Sequence, residues 1–198
     1  MCTNPIYLKN ETMFVNCRKC SECKLARAKE WACRLHYELK NHDKACFITL
    51  TYDNAHYKRL LDKTDLQKFI KRLRSQIHPT KIKYFACGEY GDRTWRPHFH
   101  AIIFGYDFPD KVKRGKSRKG FPLYQSPSLA MLWQYGFHTI QDVSLATCVY
   151  TALYTGKSKN QLPRMLKQAP EFNTMSQGLG VDEIIDDYDR LKKTDQIW

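Results

Sequence analysis

Residues 82–104 read IKYFACGEYGDRTWRPHFHAIIF. Both ends of this stretch, 82–90 and 98–104, are short and rich in β-branched and aromatic residues, and residues 91–97 between them form a polar connection of hairpin length. The pattern predicts two neighbouring antiparallel strands. Side chains alternate faces along a strand, so His98, His100, Ile102 and Phe104 share one face while Phe99, Ala101 and Ile103 share the other. The two imidazoles then project side by side, about 7 Å apart at the backbone. Glu89, near the hairpin end of the first strand, falls within cross-strand reach of them. Two imidazoles and a carboxylate suit a divalent ion that keeps coordination positions for water and substrate oxygens. The plainer reading is a pair of hydrogen-bonded core histidines, and the same ligand types also serve non-haem iron.

Outward from this hairpin, residues 46–52 (CFITLTY) read as a buried strand closed by Asp53 and Asn54, with Thr49 and Thr51 expected to fill the sheet. Leu25, Ala28, Trp31, Ala32, Leu35 and Leu39 recur at helical spacing among Lys24, Arg27, Lys29, Arg34 and Lys40, so 21–42 is an amphipathic basic helix. A second basic helix carries Leu66, Phe69, Ile70, Leu73 and Ile77, with an N-cap at Thr64 or Asp65 and a stop at Pro79. Residues 109–122 hold six basic residues and two glycines without an apolar period, which predicts an exposed, mobile loop. A short helix at 126–133, a strand at 137–143 and a helix at 144–157 capped by Ser144 follow. Beyond Pro163 the pattern weakens, although 182–189 is acidic and helix-compatible. These elements predict an α+β fold with an antiparallel sheet and helices packed against one face. The chain divides into a Cys-rich segment with a basic helix (1–42), a core (43–160) and a C-terminal extension packed on it (161–198).

The 198 residues are 42% hydrophobic and 13% aromatic, enough to fill the core of one ordinary domain, and no long apolar run marks a membrane span. Net charge is +13, and its excess is regional: 1–120 hold 26 Lys+Arg against 12 Asp+Glu, whereas 121–198 hold 7 against 8. A polyanionic partner is expected. The N-terminus lacks a basic stretch leading into an apolar one, so no secretory leader is expected and the eight cysteines are read as reduced. Cys46, Cys87 and Cys148 sit in apolar patterns as small hydrophobes. Cys17, Cys20 and Cys23 form a CxxCxxC run, a candidate structural zinc site with Cys2, Cys33 and His36 as alternative fourth ligands. Unmetallated thiols and an iron–sulfur site are the competing readings.

Tyr150 and Tyr154 are four residues apart, hence on one helical face, and Lys157 lies three further on. An isolated pair of this kind is usually a core or interface feature. Beside a metal it takes on another meaning, because a phenol can attack a phosphodiester once the phosphate is polarised and a lysine balances the charge.

Taken in order, CFITLTY with Asp53, RPHFHAIIF, and YTALYTGK at 150–157 resemble motifs one, two and three of the HUH rolling-circle replication initiators of gokushovirus-like microviruses, which are single-stranded DNA phages. The likeness covers about 46–157, with fainter echoes in the cysteine run and in MSQGLG at 175–180. It implies a single HUH-endonuclease domain with an approximately five-stranded sheet of ferredoxin- or RNA-recognition-like topology. By the same resemblance His98, His100 and Glu89 hold Mg²⁺ or Mn²⁺, Tyr150 and Tyr154 are nucleophiles, and Lys157 is the motif-three lysine. The implied activity is site-specific nicking and strand transfer on single-stranded DNA at a viral origin, leaving a 5′-phosphotyrosine link and a free 3′-hydroxyl. Host helicase and polymerase are the implied partners, and the cytoplasm of the infected bacterium the implied location. Trp95, Arg96 and Arg114 are candidate DNA contacts through stacking and phosphate binding. A non-catalytic nucleic-acid-binding module with a structural metal, and a metal-dependent oxygenase, are the alternatives.

Overall fold

Alternation along one strand explains the layering. In β3 (Ala45–Tyr52), Cys46, Ile48, Leu50 and Tyr52 are completely buried on one side, and Phe47 is buried on the other. The computed structural model describes residues 1–91, 93–155, 163–181 and 185–186. In chain order the elements are β1 (Ile6–Leu8), β2 (Met13–Val15), α1 (Ser21–Lys40), β3, α2 (Lys63–Gln76), β4 (Lys83–Tyr90), β5 (Pro97–Phe104), β6 (Val112–Lys116), β7 (Pro122–Gln125), α3 (Pro127–Leu132), β8 (Gly136–Asp142), α4 (Leu145–Leu153), a 3₁₀ turn Arg164–Gln168, and β9 (Phe172–Met175). Strands β6-β7-β8-β3-β5-β4-β9 form one antiparallel sheet in that order, and β1 and β2 pair separately.

The sheet is covered on both faces, which corrects the expectation of helices on one. On the first face Leu66, Phe69, Ile70 and Leu73 of α2 and Leu129 and Leu132 of α3 pack with Trp133 on Ile48, Leu50, Phe99, Ala101 and Ile103. On the second, Ala32 and Leu35 of α1 and Cys148 and Ala152 of α4 pack on Phe47, Phe85, Ile102 and Phe104. The reason lies in the strand sequences: Phe85-Ala86-Cys87 and Ala101-Ile102-Ile103-Phe104 are continuously apolar, the signature of strands buried on both sides. Small residues Ala32, Cys148 and Ala152 let α1 and α4 lie close together over the same face.

The sheet has seven strands, not about five. Residues 109–122, expected as a loop, contain β6 and part of β7, whose register shifts between Lys113 and Gly115. The strand is invisible to periodicity because β6 is exposed throughout and held by backbone pairing alone. At the other edge β9 pairs with Phe85–Gly88 of β4. The N-cap of α2 is Asp62, whose side chain accepts from the Thr64 N–H, and not Thr64 or Asp65. Asp65 is instead buried, accepting from the Tyr52 hydroxyl at 2.5 Å and from Lys58 at 2.6 Å. Lys157 and most of the acidic stretch 182–189 lie outside the described residues.

The MSQGLG segment locks α1 to the sheet. Ser176 exchanges hydrogen bonds with the Tyr84 backbone, Leu179 is buried in the second core, and the Gly180 N–H donates to Glu38 at 2.8 Å. Glu38 is itself buried. Burial opposes its ionisation, but donors from Gly180, His42 and Lys83 prevail and hold the carboxyl below its ordinary range. Gly180 has φ +61°, and a Cβ there would lie 2.1 Å from the Arg34 carbonyl oxygen, whereas Gly178, at φ +67°, has open space around it. Both Gly→Ala changes carry the left-handed backbone penalty of roughly 1–2 kcal/mol. Gly180→Ala must also displace α1, so denaturant melts are expected to show a loss at least twice that of Gly178→Ala. Equal losses would show that the turn does not hold the helix.

Candidate metal centre and tyrosine cleft

Strand register converges the polar side chains. Glu89 of β4 stands opposite His98 of β5, Cys87 opposite His100, and on the other flank Thr49 of β3 stands opposite His100 and Thr51 opposite His98. All lie on the face shared with α1 and α4. Glu89 Oε1 is 2.6 Å from His98 Nε2 and 3.1 Å from His100 Nε2. The second nitrogen of each ring is held from behind. His98 Nδ1 is 3.1 Å from the Arg96 carbonyl, which can only accept, so Nδ1 carries its hydrogen and Nε2 is the atom presented to the shared site. His100 Nδ1 is 2.9 Å from the Thr49 hydroxyl. Phe47 stacks on the His100 ring at 5.4 Å and limits its rotation.

One ligand atom from each of Glu89, His98 and His100 lies within 4.8 Å of the other two, and Glu89 and His100 are buried. Two imidazole nitrogens and a carboxylate oxygen aimed at one point, each ring oriented by a partner on its far side, fit a divalent cation. Burial alone would keep the Glu89 carboxyl protonated. Hydrogen bonds from His100 and His98 and their charge overcome that and hold it far below the usual carboxylate range.

The tyrosines come from α4, which starts at a capping box between Ser144 and Thr147. Cys148, Thr151 and Ala152 are buried toward α1, and this turns Tyr150 and Tyr154 toward the sheet. The Tyr154 ring stacks on His100 with centroids 5.6 Å apart and planes 20° apart, and Tyr150 meets the same ring edge-on at 6.1 Å. Their hydroxyls are hydrogen-bonded to each other. Burial first, then the negative charge of Glu89 and the Tyr150 hydrogen bond, push the Tyr154 phenol well above its ordinary value. Thr49, Thr51, Glu89, Gly91, His98, His100, Tyr150, Leu153 and Tyr154 line an open cleft of about 590 Å³.

Thr49, which the sequence reading assigned to filling the sheet, lines this cleft and contacts His100. The residues proposed to contact a polyanion lie elsewhere. Arg96 donates to the Tyr52 carbonyl and to Asn54, each at 2.7 Å, and sits 5.2 Å over Tyr57, bracing the turn after β3. Trp95 is partly exposed at φ +55°, and Arg114 lies on exposed β6. Neither lines the cleft. An adjoining hollow of about 400 Å³ shares Thr49, His100 and Tyr150 with the cleft and is walled by Ser117, Arg118, Lys119 and Phe121 from the β6–β7 tip. Sequence reasoning missed these wall residues individually. The signal was present in the charge run, but only the hairpin pairing folds it back over the histidines.

The family model that matches, over residues 45–159, is that of the replication-associated protein ORF2 family. Similar proteins include replication-associated protein ORF2 of Spiroplasma virus 4, 34% identical across 98% of this chain and 63% of that protein. Replication-associated protein VP4 of Bdellovibrio phage phiMH2K is 37% identical across 71% of this chain and 47% of its own length. Replication-associated protein ORF4 of Chlamydia phage 1 is 32% identical across 91% and 48%. The chain thus spans between about half and two thirds of the length of these relatives. No solved structure matches it.

If the Thr49 hydroxyl orients His100 as a ligand, Thr49→Val weakens Mn²⁺ binding about 10–100-fold, as loss of such a partner does elsewhere. Thr49→Ser restores it. Electron paramagnetic resonance of free Mn²⁺ during titration reads the affinity, and an unchanged value in Thr49→Val would remove Thr49 from the centre.

Proposed function

Because the chain belongs to the replication-associated protein ORF2 family, we propose that it is a replication initiator of the HUH type, a site-specific endonuclease and strand transferase acting on single-stranded DNA at a phage origin. The observation that carries this reading is the stacking of Tyr154 on His100 and the edge contact of Tyr150 with the same ring, directly beside Glu89 and His98. Core histidines packed for stability have no use for two phenols and a carboxylate in one open cleft. The order β8-β3-β5-β4, with α2 linking β3 to β4 and α3 lying between β5 and β8 in the chain, supports the ferredoxin-like arrangement of such enzymes.

Glu89, His98 and His100 would hold Mg²⁺ or Mn²⁺, which when bound supplies polarisation of the scissile phosphate. The chain's own residues do the rest. The cleft admits a phosphodiester between the histidine rings and α4, and Arg118, Lys119 and Phe121 at the hairpin tip offer phosphate contact and base stacking to the strand leading into it. One tyrosine oxygen attacks phosphorus as its proton is lost. The P–O bond to the 3′ oxygen breaks, that oxygen takes up a proton as a 3′-hydroxyl, and the 5′ phosphate stays on the tyrosine. One phosphodiester is exchanged for another, so a later 3′-hydroxyl can reverse the step and rejoin the strand without a nucleotide cofactor. The second tyrosine, one helical turn away, is positioned for a second cut while the first remains loaded. Lys157 would balance charge on the phosphate. Host helicase and polymerase would extend the 3′ end in the cytoplasm of the infected cell; no helix among the described residues is long and apolar enough to cross a membrane.

Incubated with origin-containing single-stranded oligonucleotide and Mn²⁺, the chain is expected to give a protein–DNA band that survives denaturation. Tyr150→Phe/Tyr154→Phe lowers its yield by roughly 10³-fold or more, the scale set by loss of a nucleophile. An undiminished band from folded double variant defeats the tyrosine mechanism. His98→Ala and His100→Ala are each expected to abolish cleavage while salt-sensitive DNA binding, read by anisotropy, stays within a few-fold of wild type. Retained cleavage in either would remove that histidine from the reaction, and retention in both would sink the metal-assisted reading.

A further inference from the structure

A second side-chain cluster sits at the opposite end of α1 from the chemistry described above. The sulfurs of Cys2, Cys17, Cys20 and Cys23 all lie within 4.8 Å of one another. Cys17 Sγ is 3.9 Å from Cys23 Sγ, and Cys20 Sγ is 3.9 Å from Cys2 Sγ. A disulfide needs about 2.0 Å. Four sulfurs bound tetrahedrally at about 2.3 Å from one zinc ion stand about 3.8 Å apart.

The backbone is arranged for negative sulfurs. The Cys17 N–H points at Cys2 Sγ at 3.3 Å, the Lys19 and Cys20 N–H groups at Cys17 Sγ at 3.4 and 3.3 Å, and the Cys23 N–H at Cys20 Sγ at 3.5 Å. Three of the four sulfurs thus accept from backbone donors, which stabilises thiolates gathered in one place.

The N-terminal hairpin supplies an independent reason for a clip. Strands β1 and β2 have three residues each and pair only with one another, and Ile6, Tyr7, Leu8, Met13 and Phe14 are exposed. Neither hydrophobic core takes a residue from 1–20. A two-stranded hairpin this short is not stable in water by itself. Cys2 precedes β1 and Cys17 follows β2, closing the base of the hairpin, while Cys20 caps α1 and Cys23 lies in its first turn. The four sulfurs are where hairpin and helix meet.

We propose that Cys2, Cys17, Cys20 and Cys23 bind one Zn²⁺ as a structural tetrathiolate site that fastens the N-terminal hairpin to the start of α1, separate from the Glu89–His98–His100 centre. An all-sulfur set is soft and selects zinc over Mg²⁺ or Mn²⁺. The geometry also resolves the fourth ligand. Cys33 and His36 lie ten and thirteen residues beyond Cys23 on the same helix, roughly 15 and 20 Å along its axis, too far to join.

The test is elemental analysis of the full chain, purified under reducing conditions and dialysed against a weak chelator. One zinc per chain is expected, retained in His98→Ala/His100→Ala and in Cys33→Ala/His36→Ala, and lost in Cys20→Ser. Cobalt replacing zinc in the wild-type chain gives the intense visible absorption of a tetrahedral thiolate site, a readout that does not depend on whether Cys20→Ser folds. Absence of zinc from the wild type, its loss with the histidine pair, or iron with acid-labile sulfide in its place would each overturn the assignment.

Discussion

Glu89 faces His98 across neighbouring antiparallel strands, and the rest of the candidate site depends on that pairing. Side-chain direction in a sheet has period two, so a slip of one residue would send the carboxylate into the α2 face and leave the imidazoles without it. The register is held by large residues that cannot exchange faces. Phe99, Ala101 and Ile103 lie in one core, and Ile102 and Phe104 in the other. Reversing them would bury polar groups and expose aromatic ones on both sides at once. Packing energy, spread along the strand, thereby fixes three ligand atoms.

The same face explains why the tyrosines meet the histidines. Near the Phe104 end of β5, the second face is filled by α1, α4 and Leu179, and near the His98 end it opens into the cleft. Helix α4 is anchored over the filled part by Cys148 and Ala152, which leaves Tyr150 and Tyr154 at the boundary between core and cleft. The chemistry therefore sits where a hydrophobic layer stops. Such a boundary is partly dry, which strengthens electrostatic interactions, and still open to a polymer that must enter and leave.

Much of this was legible in residues alone, for identifiable reasons. The hairpin at 82–104 follows from alternation and a polar connection, and the Ser144 cap and the four-residue spacing of the tyrosines are local features that do not need the rest of the fold. What was not legible is non-local. Covering of the second sheet face depends on which helices reach it, and the continuous apolar runs at 85–87 and 101–104 hinted at it without naming the helices. The β6–β7 hairpin buries too little to leave a pattern. Thr49 gains its place from pairing with His100 across fifty-one residues, and Cys2 joins the other cysteines only because the hairpin folds back.

One phenol on α4, on this reading, becomes covalently joined to DNA beside the Glu89–His98–His100 centre. Proteolytic digestion of the covalent complex followed by mass-spectrometric mapping of the nucleotide-bearing residue tests that claim most directly. The nucleotide is expected on Tyr150 or Tyr154 and on no other tyrosine. A nucleotide on any residue outside α4 and its C-cap would contradict it.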